Sequence, residues 1–446
     1  MPVPFQSLAL PFPRAGAAAL ETAFALVLGG ATFDAHAAAR DDTLESVIRL
    51  VQKRYVTPIS REAAVDMALS GLMLMLDDHS AFLTPKEFVE TRQQASGQYG
   101  GIGIRTERRD GTHYVAEVGE NMPAAKAGMQ VGDRILAVAG IDAATLTQAR
   151  LVEHVRGKAG SFITLEWARE GETFAAPVVR EEIHTPTVKH ALLPADGGGE
   201  TLVVRLTGFS STTAAELQRA LAAHGTMPER LILDLRENPG GVLEAAVDVA
   251  SLFLPPNRVV LHIRSRAQSD QTLKTKAPHR PETALRAWMQ TVPMAVLIDG
   301  NSASSAEILA GALRDHGRAT LVGAGATRGK GTIQTVFALD GQRAVKMTVA
   351  QYILPHGDSV DRIGIPPQVW VSAGSAPVEI RDELFSRTLQ PTPDNAILAA
   401  ALQALAMPAN NLEATTHAAN KQLQSASARA ALHPCRRADA DGCAGE

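Results

Sequence analysis

Cysteine is almost absent: the 446 residues hold two, Cys435 and Cys443, both at the very end of the chain. A body without thiols excludes a cysteine nucleophile and a thiolate metal cage there. The two in the tail either close a small terminal disulfide in an oxidising compartment or stand as idle thiols, and both readings stay open. Aromatic residues are scarce at 4%, which argues against a base-stacking surface. An excess of one charge is missing too. Lys and Arg number 43 against 47 Asp and Glu, with no block of like sign, so nucleic acid and anionic membrane are not expected partners. Beyond the N-terminus no stretch reaches the roughly 18 uninterrupted apolar residues of a membrane span. The histidines lack H-E-x-x-H or similar spacing, so neither a metal nor a cofactor is expected.

What is present has room for roughly three domains. Ala15 to Phe33 is a mostly small, apolar run, and Ala35-His36-Ala37 resembles a signal-peptidase site, although Glu21 interrupts the run and Arg14 alone precedes it. Residues 1–37 are therefore a candidate signal peptide, and export is favoured over a cytoplasmic location. From Asp42 to about Arg92, Leu44, Val47, Ile48, Val51 and Tyr55 recur at helical steps. Ser60 can cap a second helix, and Thr84-Pro85 opens a third.

Between Gly97 and about Glu170 the pattern changes to short strands, including Tyr114–Val118 and Ile163–Trp167, with a helix from about Leu146 to Val155. Residues 200–375 alternate strand and helix. Strands are expected at Thr201–Leu206, Leu231–Leu235, Val259–His262, Ala295–Ile298 and Thr320–Val322. Helices are expected at Thr213–Ala223, Val242–Phe253 and Ala303–Arg314. That order predicts a largely parallel sheet covered on both faces. One more amphipathic helix, Asp394 to Leu405, precedes a loose tail.

Three segments can carry chemistry. Ser302-Ala303-Ser304-Ser305-Ala306-Glu307 follows an apolar strand and opens a helix, where free N–H groups can stabilise an oxyanion. Alone, the same serines read as helix caps. Gly329-Lys330-Gly331 sets a lysine between two glycines. Desolvated, it would lose its proton readily and serve as base for a hydroxyl, with Gln334 four residues on to orient the amine. Alone, it reads as an exposed loop lysine; it is not a phosphate loop, because no Ser or Thr follows the lysine. Asn238-Pro239-Gly240-Gly241 ends another strand, as a structural turn or as a second source of oxyanion donors.

Taken in order, these motifs, with Leu76-Asp77-Asp78-His79-Ser80, Gly100-Gly101-Ile102-Gly103-Ile104, Ala127-Gly128, Gly132-Asp133, Asp234-Leu235-Arg236 and Gly364-Ile365-Pro366-Pro367, make the chain similar to the C-terminal processing peptidases, the tail-specific proteases. The likeness spans about residues 42 to 405. It implies an α+β multidomain chain: an N-terminal helical region (42–96), a PDZ domain (97–172), an α/β protease core (173–375), and a C-terminal helix and tail (376–446).

It also implies a serine endopeptidase acting through an acyl-enzyme, with Ser304 as nucleophile, Lys330 as general base and Gln334 in support. The oxyanion donors would be the N–H groups of Ser305 and of a glycine in Gly240-Gly241. Gly100, Gly101, Ile102 and Gly103 would hold the C-terminal carboxylate of protein or peptide substrates. The resemblance leaves room for an adaptor or activating protein and for a homo-oligomer.

Two departures stand out. The order Ser304-Ser305-Ala306 differs from the family's Ser-Ala-Ser, which makes Ser305 a rival nucleophile facing about 100° away on a helix. The loop before Lys330 is one residue longer and carries Arg328 where an aromatic is usual; that cation would either depress the lysine's pKa further or displace the lysine. The same departures suit the alternative of a catalytically inactive PDZ scaffold on a protease-like body. A Ser/His/Asp arrangement through Asp315-His316 is disfavoured, because that pair lies a helix away from Ser304.

Overall fold

The computed structural model describes residues 43–194, 199–224, 227–277, 283–339, 342–371 and 396–406. The candidate signal peptide and both cysteines lie outside the described residues. The first helices are α1 (Thr43–Arg54) and α2 (Arg61–Leu74). Ser60 caps α2, its Oγ accepting the Ala63 N–H at 3.1 Å. Arg61 reaches back to Glu45 at 2.7 Å.

The motif at Asp77 is a turn held by one carboxylate. Asp77 accepts from the N–H groups of His79 and Ser80 and from the Ser80 hydroxyl, at 2.8–2.9 Å. The chain leaves this turn as β1 (Ala81–Leu83). Next comes α3 (Pro85–Ser96), started by a Thr84/Glu87 capping box with Pro at its first position.

Short strands follow: β2 (Gln98–Gly101), β3 (Ile104–Arg109), β4 (Thr112–Val118), then helix α4 (Pro123–Lys126), β5 (Arg134–Val138) and β6 (Ile141–Asp142). Helix α5 (Gln148–Val155), β7 (Phe162–Arg169), β8 (Glu172–Val179) and β9 (Glu181–His184) complete this part. The sheet order is β3-β4-β5-β7-β8, with β6 on β5, and its pairs are antiparallel. Inward positions of the strands (Val115, Ile135, Ile163, Leu165, Trp167) enclose Leu151 and Val155 of α5 in one apolar core. β8 follows the last strand expected from the sequence, and its exposed positions break the apolar alternation that would mark it. β2 and β9 pair antiparallel as a two-stranded stalk through which the chain enters and leaves this sheet.

The remainder comprises β10 (Val188–Pro194), β11 (Glu200–Leu206), α6 (Thr213–Ala222), β12 (Arg230–Asp234), α7 (Leu243–Phe253), β13 (Val259–Ser265), β14 (Gln271–Lys274) and α8 (Ala284–Thr291). After these come β15 (Met294–Ile298), α9 (Ser305–Asp315), β16 (Thr320–Gly323), β17 (Thr332–Ala338), β18 (Ala344–Ile353), β19 (Val369–Trp370) and α10 (Ala396–Ala406). Six strands form one sheet in the order β10-β11-β12-β15-β16-β19, parallel except for β10 against β11. Successive side chains serve opposite faces. Leu202, Val204 and Leu206 pack towards α6, α7 and α9, while Val203, Ile232 and Leu297 meet Leu398 and Ala401 of α10. The largely parallel sheet, covered on both faces, matches the expectation.

One strand departs from the expectation. The run Val259–His262 was expected among the parallel strands, yet β13 belongs to a separate antiparallel sheet, β1-β18-β13-β14, with β17 also on β18. Its apolar run looks like a parallel-sheet strand because one end is buried under the helices; Val260 and Leu261 are 0% exposed.

Candidate active site

The carboxyl ends of β12 and β15 lie side by side, and the loops leaving them build the site. After β15, Asp299 folds a tight turn, its Oδ1 accepting the N–H groups of Asn301 and Ser302 at 3.0 and 2.9 Å. The Ser302 hydroxyl donates to Leu235 O at 2.8 Å, and Ala303 N–H donates to Asn238 O at 2.9 Å. The serine segment is thereby pinned to the loop after β12. Ser304 follows as the residue before α9, half-buried, with φ +56°. Few non-glycine residues adopt positive φ, and the strain is tolerated only where surroundings enforce it.

The loop after β12 approaches that helix start closely. Gly240 has φ +94°, and a Cβ on it would lie 2.8 Å from Ser304 Cβ and 2.9 Å from Ser305 N. No residue but glycine fits there. The Gly240 N–H is committed to Asn238 Oδ1 at 2.9 Å. The bridge from this loop to Phe209 runs through Gly240 O and Val242 N, and the Gly241 N–H takes no part in it. Ser305 N, at the first turn of α9, belongs to the donors that a helix leaves without an internal partner. Ser305 itself is 1% exposed, and its hydroxyl donates to Gly241 O at 3.0 Å. Of the two adjacent serines, one is half-open and the other is buried and bonded.

In the sequence Glu307 stands out only as the end of the serine motif. Here its carboxylate, 0% exposed, is the point where the serine and lysine segments meet. Glu307 Oε2 accepts from Ser304 N–H at 2.8 Å and Lys330 N–H at 2.9 Å; Oε1 accepts from Gly329 N–H at 2.8 Å and Thr327 Oγ1 at 2.6 Å. Charge-assisted bonds of this kind are the strong ones. Its spacing three residues after Ser304, as in a capping box, was the signal that could have found it.

The glycines of the lysine loop have a local cause. Gly329 (φ +82°) and Gly364 (φ +73°) lie where a Cβ would come within 2.8 Å of Ile363 N and 2.0 Å of Thr327 O respectively. The Gly364-Ile365 segment clasps the loop, with Thr327 N–H donating to Ile365 O and Ile365 N–H to Thr327 Oγ1.

Lys330 is half-buried, and its side chain has no hydrogen bond or ion pair among the described residues. Burial is the main cause that lowers its pKa below the usual lysine value. The Lys346 charge adds to the effect, Glu307 opposes it, and exposed Arg328 lowers it further. Gln334, on β17, donates its amide nitrogen to Thr332 Oγ1 at 2.9 Å and Thr348 Oγ1 at 3.1 Å. Thr348 N–H in turn donates to Ser80 Oγ at 3.1 Å, which ties the Asp77 turn to this strand. Gly100 and Gly101 end β2, paired with Glu182 and Glu181 of β9, and Ile102 and Gly103 join that strand to β3. There a Cβ on Gly100 would strike Gly157 O at 1.9 Å, and one on Gly103 would strike Met122. Among the described residues no group of three or more His, Cys, Asp or Glu could hold a metal ion.

A helix-start serine, a desolvated lysine and a glycine loop on a parallel sheet, beside a small β-domain with an open edge strand, define a class: serine peptidases with a PDZ module. Residues 200–371 match the model of peptidase family S41, and residues 100–178 that of the PDZ domain. The carboxy-terminal-processing protease of Bartonella bacilliformis is 33% identical over 73% of this chain and 73% of its own. The carboxy-terminal processing protease CtpA of Bacillus subtilis is 30% identical over 74% of this chain and 68% of its own. The chain belongs to the carboxy-terminal-processing proteases, and is a serine-type C-terminal processing peptidase.

Proposed function

We propose that this peptidase cleaves unstructured polypeptides through Ser304 and Lys330, after the PDZ domain captures their free C-termini. Neutral Lys330 Nζ takes the proton of Ser304 Oγ as that oxygen attacks the scissile carbonyl carbon. The oxyanion is received by the N–H groups of Ser305 and Gly241. Lys330 then gives the proton to the departing amine, and water attacks the acyl-enzyme to release the second product. Gln334 makes no bond to the amine here; its part in this reading is to brace β17 behind the lysine loop through Thr332 and Thr348. The observation that carries this reading is the single buried Glu307 carboxylate bonded to the backbone of both Ser304 and Lys330.

Gly100 to Gly103 form the carboxylate loop, and the tail adds as a strand to β3. The leader-like residues 1–37 support export, and no described helix is long and apolar enough to cross a membrane. The test is degradation of an unfolded casein-like substrate. Ser304→Ala and Lys330→Ala should each abolish it with folding intact, and Ser305→Ala should retain part of it. Cleavage at the parental rate by Ser304→Ala rejects the assignment.

A further inference from the structure

We propose that Gln148 is a latch in the PDZ groove: its amide occupies the backbone acceptor that the third residue from a substrate's end requires, so the resting groove reads only the last two residues. This rests on the tail-capture reading above and adds a gate to it.

β3 is an edge strand, paired with β4 alone. Between β3 and α5 lies a cavity of about 160 Å³, lined by Ile102, Ile104, Thr106, Val152, Val155 and Arg156 among others. An apolar space of that size takes one ring or aliphatic side chain. At one end, the N–H groups of Ile102 and Gly103 take no part in the bonds that close the surrounding loop, which engage Ile102 O and Gly103 O instead. Nearby, the Arg156 guanidinium stands 4.4 Å over the Tyr99 ring.

Strand addition uses every second residue of an edge. A tail with its carboxylate at Ile102 and Gly103 meets the Ile104 carbonyl with its last residue. The residue two before it meets the Thr106 carbonyl. Val115, opposite Thr106 in β4, donates across to Asp133 O at 2.9 Å, which leaves the Thr106 carbonyl unused by β4.

That carbonyl is taken by the protein itself. Gln148 Nε2 donates to Thr106 O at 2.7 Å and to Thr106 Oγ1 at 2.7 Å. The other end of the amide faces a ring: Gln148 Oε1 lies 3.1 Å from His113 Nδ1, and the His113 ring, 1% exposed, lies with Nε2 2.9 Å from Leu146 O, so the ring donates to both oxygens only when both its nitrogens carry a proton. Gln148 is the first residue of α5, whose start is capped by Thr147. The bridge therefore spans the groove from helix to strand, and a longer tail must displace it.

The test uses the full chain carrying Ser304→Ala, so that bound peptides are not cleaved. Labelled peptides of two, three and five residues share one aliphatic C-terminus, each as free acid and as amide. Gln148→Met keeps the side-chain length and removes the amide. It should bind the three- and five-residue acids about three- to tenfold more tightly than the parent, the worth of one backbone hydrogen bond no longer contested. Affinity for the two-residue acid should not change. Thr106→Val, which removes only the hydroxyl end of the bridge, should give a smaller gain of the same sign. Unchanged or weaker binding of the five-residue acid by either folded variant overturns the latch, while a retained preference for acid over amide leaves tail capture standing. Loss of that preference in the parent overturns both.

Discussion

At Lys330 the decisive quantity is how easily an amine gives up its proton. Burial and the neighbouring charges of Lys346 and Arg328 favour the neutral form, against the pull of Glu307. A base must be neutral to act, so the rate should rise with pH through the amine's pKa and level off above it. Lys346→Met removes a like charge. The amine then keeps its proton to higher pH, and the rising limb of kcat/KM should move in the alkaline direction. A profile measured on a quenched fluorescent peptide checks this; a limb that stays put, or moves towards acid, removes Lys330 from the role of base.

Glu307 acts on the same pair by holding backbone rather than by touching substrate. Glu307→Ala strips one acceptor from each of four donors at a site with no exposure. The expected loss is about 3 kcal/mol or more of stability, together with activity. Glu307→Gln keeps the shape and an acceptor oxygen, and should lose less of both. Urea unfolding of the two variants separates them, and equal stability of Glu307→Ala and the parent contradicts the role.

Among elements, the close approach of the loop after β12 to the start of α9 is the most demanding contact. Gly240→Ala should fold less stably by about 1–3 kcal/mol, since it pairs positive φ with a steric conflict. Its kcat should fall further than its stability explains, because the added methyl pushes against Ser304. A thermal melt and single-turnover rates make the comparison; parental kcat in this variant would show that the loop tolerates displacement.

The same elements show what the sequence made legible. Glycines with a local steric cause, such as Gly240, Gly329 and Gly364, announce themselves as short motifs. The parallel strands and their helices are visible because both periods are strong there. β17 and β18 carry mostly half-exposed residues, and β1 is three residues long, so no period marks them. Their sheet is decided by pairing across long separations, Phe82 against Val345, for instance. The role of Glu307 also stayed hidden, since its partners at 327–330 come together only in the folded chain. The same holds for Gln148 and Thr106.

In the molecule as a whole, the PDZ sheet joins the protease core through the β2–β9 stalk, and the stalk is anchored by one carboxylate. Glu216 of α6, 5% exposed, meets His184 Nε2 at 2.8 Å at the end of β9 and accepts the Thr187 N–H at 2.8 Å and the Thr212 hydroxyl at 2.6 Å. Burial alone would raise its pKa. The bonds from Thr212 and Thr187 and the His184 contact outweigh it, so the carboxyl sits below the ordinary glutamate value. A depressed carboxyl stabilises the fold above its unfolded pKa and ceases to do so as pH falls through its folded pKa. Glu216→Ala should therefore cost roughly 2–4 kcal/mol near neutral pH. The gap between variant and parent should narrow as pH falls below the ordinary glutamate range and through the parent's depressed carboxyl pKa. Chemical unfolding of both proteins across pH measures that gap. A gap that is constant from neutral to acid would mean that the charge of Glu216 contributes nothing and that its packing alone holds the stalk.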